Sequence, residues 1–335
     1  ALAGTDYTAA GSTLSFAGNV GETQTFTVLV DGDTTVELDE TFFTDLSNLS
    51  ASGRAVTIAD NQGQGTITND DSVTVSVADM VLNEGDGGTV QATFTVALTD
   101  AVDVDVQVGY STSDGTAVAG SDYVGTSGSL TIAAGATSGT VTVDLTPDQV
   151  VELDETFFLD LTSVSASGRD VKIADNQGQG TISNDDAAQF TINDVSSVEG
   201  TGGTQQLQFT VTLDAAVDTG VTVDWSTADG TATLADSDYT SSSGTLAFVG
   251  NAGETQTFTI DLGTDTVVEL DEILLANLTN VQASGRSVSI GDTQGVGTVT
   301  NDDSASLTIS DPTLVETDSG TQAVFTVSLD QAVGA

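Results

Sequence analysis

The sequence predicts an all-β chain of tandem antiparallel β-sandwiches. Three observations carry this: a long internal repeat, two-residue alternation of apolar side chains, and punctuation by Gly, Asp, Asn and Ser. Asn-Asp-Asp occurs at 69–71, 184–186 and 301–303, and Val-Glu-Leu-Asp-Glu begins at Val36, Val151 and Val268. Asp-Tyr falls at Asp6-Tyr7, Asp122-Tyr123 and Asp238-Tyr239, and Ala-Ser-Gly-Arg ends at Arg54, Arg169 and Arg286. These landmarks recur every 115 to 117 residues. That period exceeds the ~20 to 50 residues of solenoid repeats and propeller blades, so each copy is expected to be a domain in its own right.

Within the copy at 72–186, Val90, Ala92, Phe94, Val96 and Leu98 alternate with Gln91, Thr93, Thr95 and Ala97. Such alternation marks a strand with one buried face. The same spacing recurs in Val104, Val106, Val108 and Tyr110, in Val141, Val143 and Leu145, and in Phe157, Leu159 and Leu161. Only two Pro occur, and no segment combines helical periodicity with capping residues. Six to eight short strands per copy with one apolar face predict a sandwich. Trp225 and Tyr110, at matching strand positions, are expected in the core.

Four divisions follow: a partial repeat at 1–71, complete repeats at 72–186 and 187–303, and a partial repeat at 304–335. Ala1 aligns with Ala117, and Ala335 aligns with Val104, so the positions matching 105–116 are absent from both partial copies. A partial sandwich lacking a central strand would expose its core. The expected explanation is a window on a longer array, and head-to-tail strand complementation into a filament is the alternative.

Composition removes several chemistries. The chain has no His and no Cys, and Arg54, Arg169, Lys172 and Arg286 are its only basic side chains. Imidazole bases, thiolate nucleophiles and zinc held by N or S ligands are therefore excluded. Against those four cations stand 50 acids, a net charge of -46, which disfavours nucleic acid and anionic membranes as partners. No apolar run reaches the ~18 to 20 residues of a membrane-spanning helix. Disorder is not expected, because 38% of the residues are apolar and regularly placed.

The order Glu-Gly-Asp-Gly, Ser-Thr-Ser-Asp-Gly-Thr-Ala, Gly-Ser-Asp-Tyr, Val-Glu-Leu-Asp-Glu and closing Asn-Asp-Asp resembles the Calx-beta domain. That family includes the calcium-sensing domains of sodium/calcium exchangers and repeats of large bacterial surface proteins. The resemblance implies a seven-stranded antiparallel Greek-key sandwich of immunoglobulin-like type, with Ca2+ at one tip. Its implied ligands are Glu84, Asp122, Asp148, Glu152, Glu155, Asp185 and Asp186 in one complete copy. The other supplies Glu199, Asp238, Asp265, Glu269, Glu272, Asp302 and Asp303. The partial copies add Asp6, Asp33, Glu37, Glu40, Asp70 and Asp71 at one end and Glu316 at the other. Asp154 alternates to the other side of its segment and is a weaker candidate. Asn69, Asn184 and Asn301 stand where the family often carries a further acid, which leaves the number of ions per domain open.

Two carboxylates ~4 to 5 Å apart repel by roughly 3 to 4 kcal/mol at an effective dielectric of ~20, so clustered acids call for a hard cation. Calcium takes six to eight oxygens in flexible geometry and suits carboxylates from separate loops. The plainer alternative is that these acids are solvated or cap turns. Since Asn-Asp-Asp immediately precedes the next copy, bound calcium is expected to stiffen the junction. Catalysis is not expected, because the acids recur in every copy and no base accompanies the abundant Ser and Thr. The arginines are expected to form structural ion pairs. The functional expectation is an extracellular or cell-surface adhesive array, partnered by its own neighbouring repeats and able to associate into fibres. A regulatory calcium-sensor pair is the other reading.

Overall fold

The computed structural model describes residues 1–334. Ala335, the last residue of the second partial repeat, lies outside the described residues. The chain divides into two compact units. The first comprises Ala1–Glu84, Thr89–Pro147 and Glu155–Ser183; the second comprises Gly85–Gly88, Asp148–Asp154 and 184–334. The units do not follow the sequence repeats, because the segments at 85–88 and 148–154 associate with the residues beyond 184.

In the first unit the apolar alternation becomes two sheets. One has the order Ser138–Asp144, Gln91–Leu98, Val73–Val77, Val171–Ile173. The other runs Met80–Asn83, Gln177–Ser183, Glu155–Ser165, Val106–Asp114, Ser127–Ile132. Along Gln91–Leu98 every second side chain is buried, so Ala92, Phe94, Val96 and Leu98 face the core while Thr93 and Thr95 face out. The second unit repeats the arrangement. Glu254–Leu262, Gln205–Leu213, Ala188–Ile192 and Val288–Ile290 form one sheet. Val195–Val198, Gln294–Thr300, Glu272–Gln282, Val221–Asp229 and Ser243–Phe248 form the other.

Two features depart from a uniformly antiparallel sandwich. The first strand of each complete copy is broken and contributes to both sheets, at Val73–Val77 with Met80–Asn83 and at Ala188–Ile192 with Val195–Val198. These pieces pair in parallel with the closing segments of the same copy. An acid holds each break: Asp79 accepts a hydrogen bond from the Gln179 N–H, and Asp194 from the Val296 N–H, both at 2.7 Å. Switching sheets lets one strand close both layers, leaving fewer open edges.

The closing strands are glycine-rich because they run beneath aromatic rings. A side chain on Gly180 would meet Phe157 at 2.7 Å and Phe94 at 3.0 Å. Phe157 in turn stacks on Tyr123 and meets Phe94 edge-on. Trp225 is buried and stacks on Phe258 at 3.8 Å, while Tyr110 is partly buried against its own core.

Two further segments join these cores. Val36 is fully buried in the core of the first unit; it donates its N–H to the Ala101 carbonyl at 3.1 Å and accepts from the Asp103 N–H at 3.3 Å. In the second unit Val150–Val151 pairs in parallel with Ala216–Val217, and Val151 is fully buried in the core. The remaining strands form two-stranded pairs: Tyr7–Thr8 with Leu29–Val30, Glu40–Asp45 with Gln62–Ile67, and Leu307–Ile309 with Val327–Leu329. Many apolar side chains beside them are exposed, Phe16 and Val324 among them. Among the described residues, no helix is long and apolar enough to cross a membrane.

Candidate metal centre

The second unit shows how the acids are positioned. Asp238 lies in the turn before Tyr239, where its carboxylate accepts the Thr233 N–H at 2.6 Å. Tyr239 plugs the core and donates its hydroxyl to Asp229 at 2.6 Å, which together with burial pushes its pKa up to about 12. The motif thus pins the turn from both sides. Glu269 lies just after Val268, and Glu272 opens the strand Glu272–Gln282. Carboxylate oxygens of Asp238, Glu269 and Glu272 lie within 4.8 Å of one another.

A second triad brings oxygens of Glu199, Asp265 and Asp303 together within the same limit. Glu199 is only 7% exposed. Burial, then the charges of Asp265, Glu269, Asp303 and Asp238, push its carboxyl up to about 7. Glu272 is likewise raised to about 7, by burial and then by Asp238. Burial and neighbouring acids raise Glu269 and Asp303 as well. Because Glu199 feels acids of both triads, the two are electrostatically one cluster.

The chain at Asn-Asp-Asp is braced by Asn301. Its side-chain oxygen accepts the Glu269 N–H at 3.1 Å, its amide donates to the Asp303 carbonyl at 2.9 Å, and its own N–H donates to Asp271 at 3.1 Å. Asn184 makes the same three bonds with Glu152, Asp186 and Asp154, and Asn69 makes them with Glu37, Asp71 and Asp39. A carboxylate could accept but not donate, so asparagine is the residue type this brace requires. Asp39, Asp154 and Asp271 are thereby occupied as braces.

The other expected residues divide by role. Asp6, Glu37 and Glu40 form a triad in the first unit, with Glu37 raised by burial and then by Asp33 and Glu40. In the same unit Asp122 and Glu155 bring carboxylate oxygens within 4.8 Å, and Glu152 occupies the sequence position of Glu269. In the second unit Asp86 joins Asp185 and Asp186. Asp86 was not anticipated; its signal is the Glu84-Gly85-Asp86-Gly87 string, which reads Glu199-Gly200-Thr201-Gly202 in the next copy. Asp33, Asp148 and Asp265 each accept a backbone N–H two residues on, at 2.7 Å. Asp302 accepts the Gly200 N–H and Asp185 the Gly85 N–H, both at 3.0 Å. Glu84 is buried like Glu199. Asp70 and Asp71 follow the brace Asn69, and Glu316 is exposed between the last two strands.

Arg169 and Arg286 pair as expected, whereas among the described residues Arg54 forms no ion pair. Arg169 grips Asp103 through Nε at 2.7 Å and Nη2 at 2.6 Å, and Arg286 grips Asp218 at 2.8 and 2.7 Å.

The donor set is entirely oxygen, drawn from separate loops, which suits a hard divalent cation. One observation points to an occupant: Oδ2 of Asp186 and Oδ2 of Asp303 are buried without a hydrogen-bond partner. Buried carboxylate oxygens in native proteins are normally paired with a donor or a metal.

Tandem β-sandwiches with clustered loop carboxylates define a class of modular β proteins. More specifically, the Calx-beta domain model matches residues 1–72, 67–195 and 183–313, and the chain belongs to that family. Solved structures similar to it include the CBD12 of CALX1.2, at 20% identity over 67% of this chain and 99% of that one, with a TM-score of 0.32. The calcium-binding domain CBD12 of CALX1.1 gives 19%, 67%, 98% and 0.32. The apo form of the Calx CBD1 domain gives 28% identity, 35% of this chain, 100% of that one and 0.31. No curated protein matches the chain. The family assignment rests on the sequence match.

Proposed function

We propose that this chain is a calcium-binding structural array whose repeats serve as a stiffened spacer or adhesive stalk at a cell surface. The observation that carries the reading is Glu199, buried among Asp265, Glu269, Asp303 and Asp238, beside an Asp303 oxygen with no donor. Such a site is costly when empty and favourable around a dication. The residues that would hold Ca2+ are Glu199, Asp265 and Asp303, with Asp238, Glu269 and Glu272 beside them. Asp86, Asp185 and Asp186 form another set, in which Asp186 matches Asp303, and Asp6, Glu37 and Glu40 a further one. The ion's charge would offset their mutual repulsion and fix the loops that meet there.

Placement outside the cell is supported by acidity, absence of Cys and tandem repetition of one module, and calcium there is abundant enough to fill sites of ~10⁻⁴ to 10⁻³ M. The repeated acids, with no accompanying His or Cys, support a binding scaffold over an enzyme. The partners on this reading are neighbouring repeats and other copies of the array, with no role for nucleic acid. A regulatory calcium sensor is the second reading, supported by membership of the Calx-beta family.

Equilibrium dialysis against labelled calcium tests the proposal. We expect more than one ion per chain, with midpoints near ~10⁻⁴ to 10⁻³ M and competition by protons below pH 7. Midpoints near ~10⁻⁷ M would favour the sensor, and no binding at ~10 mM would remove the calcium reading.

A further inference from the structure

Val36 and Val151 are each buried in a core made by residues that come after the next Asn-Asp-Asp string. Val36 belongs in sequence to the copy ending at Asp71, yet it lies among Val73, Val102, Val106 and their neighbours. Val151 belongs to the copy ending at Asp186, yet it lies among Ala188, Val217, Val221 and theirs. Both valines are fully buried.

The receiving surface is built to hold such a segment. It is the tripeptide Ala101-Val102-Asp103 in one copy and Ala216-Val217-Asp218 in the next. Its outer residue, Asp103 or Asp218, is fixed by the bidentate arginine fork while its own N–H donates to the carbonyl of the incoming valine. A glycine of each arginine turn lies against the leucine two residues after the valine, at ordinary contact distance. A side chain on Gly285 would stand 3.4 Å from Leu153, and one on Gly168 would stand 4.0 Å from Leu38. These glycines have φ of 89° and 90°, which L-residues seldom adopt. The charges also complement: Glu37 acts on Arg169, and Glu152 on Arg286. The hydrogen bonds occur a third time, where Val268 donates to the Ala332 carbonyl and accepts from the Gly334 N–H, both at 2.9 Å.

We propose that Ala-Val-Asp is a docking slot specific for an extended Val-Glu-Leu segment of the preceding repeat, which supplies the last valine of the next repeat's core. The cooperative unit is then offset from the sequence repeat, and each copy is stabilised by the one before it. This is the nearest-neighbour coupling of shorter repeat arrays, carried by a single inserted strand. The partner chemistry is defined: a β-branched residue with free backbone groups, an acid facing the arginine, and a leucine.

Hydrogen exchange of the whole 335-residue chain, read by peptide, tests the assignment in one calcium-containing buffer. Val151→Ala is expected to speed the slow amides of Gln205–Leu213 and Glu272–Gln282 by about tenfold or more, as for a core truncation. It should leave Gln91–Leu98 within about twofold of the parent. Leu159→Ala, a core truncation on the strand following Val151, should do the reverse. Deprotection by Val151→Ala that is equal in both regions, confined to Gln91–Leu98, or absent from both would overturn the proposal. The result does not depend on whether calcium binds.

Discussion

Calcium at ~10 mM is expected to raise the midpoint of thermal unfolding by about 10 °C over its value in chelator. A site of ~10⁻⁴ M at a hundredfold excess contributes about 2.7 kcal/mol, and for a domain of this size each kcal/mol moves the midpoint by roughly 4 °C. The pH dependence should invert with the ion. Glu199 and Glu272 titrate near 7 in the fold, whereas the ordinary glutamate value is 4.5. Between those values the folded chain holds protons that the unfolded chain has lost, so in chelator stability falls as pH rises from about 4.5 to about 7 and then levels. With calcium present the ion displaces those protons, and stabilisation grows over the same interval. Scanning calorimetry at pH 5 to 8, with calcium and with chelator, reads both effects. An unchanged midpoint, or stability in chelator that rises toward pH 7, would contradict the cluster described above.

Glu199→Gln separates the cost of the empty site from its use. At pH 8 the parent carries a buried carboxylate among four other acids, and removing that charge should stabilise the calcium-free chain by about 1 to 3 kcal/mol. With calcium the same variant should fall below the parent, because a ligand has gone. The two unfolding curves therefore exchange order when the ion is added. Asp302→Ala is the contrasting change: Asp302 accepts the Gly200 N–H and alanine cannot, so its replacement should weaken the fold with or without calcium. Parallel behaviour of the two variants would mean that Glu199 is not a ligand.

Much of the fold was legible because the alternation from Val90 to Leu98 has only one physical reading, and because each landmark recurs. The triads were partly legible for the same reason. What sequence spacing did not reveal was which expected ligands serve the backbone: Asp185 and Asp302 look like their neighbours until the N–H groups they accept are located, whereas alternation had already set Asp154 apart. Asn184 and Asn301 read as missing ligands, whereas their amide protons make them the braces of the loop. The parallel edges and the insertion of Val36 and Val151 were invisible. They depend on where the first strand breaks, set by Asp79 and Asp194, and on tertiary register rather than local pattern.

Homologous neighbours carry a hazard during folding: a strand of one can enter the other, and tandem homologous domains are prone to such exchange. The aromatic pair of the second unit bears on this. Trp225 lies on Phe258, while the matching positions in the first unit are Tyr110 and Val141, since Val141 pairs with Phe94 as Phe258 pairs with Phe209. Large sits with large and medium with small. An exchanged strand would press Trp225 onto a valine or leave Tyr110 crowded by phenylalanine, a mismatch of about 1 to 3 kcal/mol. Refolding the chain with Trp225→Tyr and Phe258→Val together should accordingly give more trapped species than the parent. Two compensating side chains thus act as one proofreading mark among the core differences that tell the copies apart while the chain is still finding its fold.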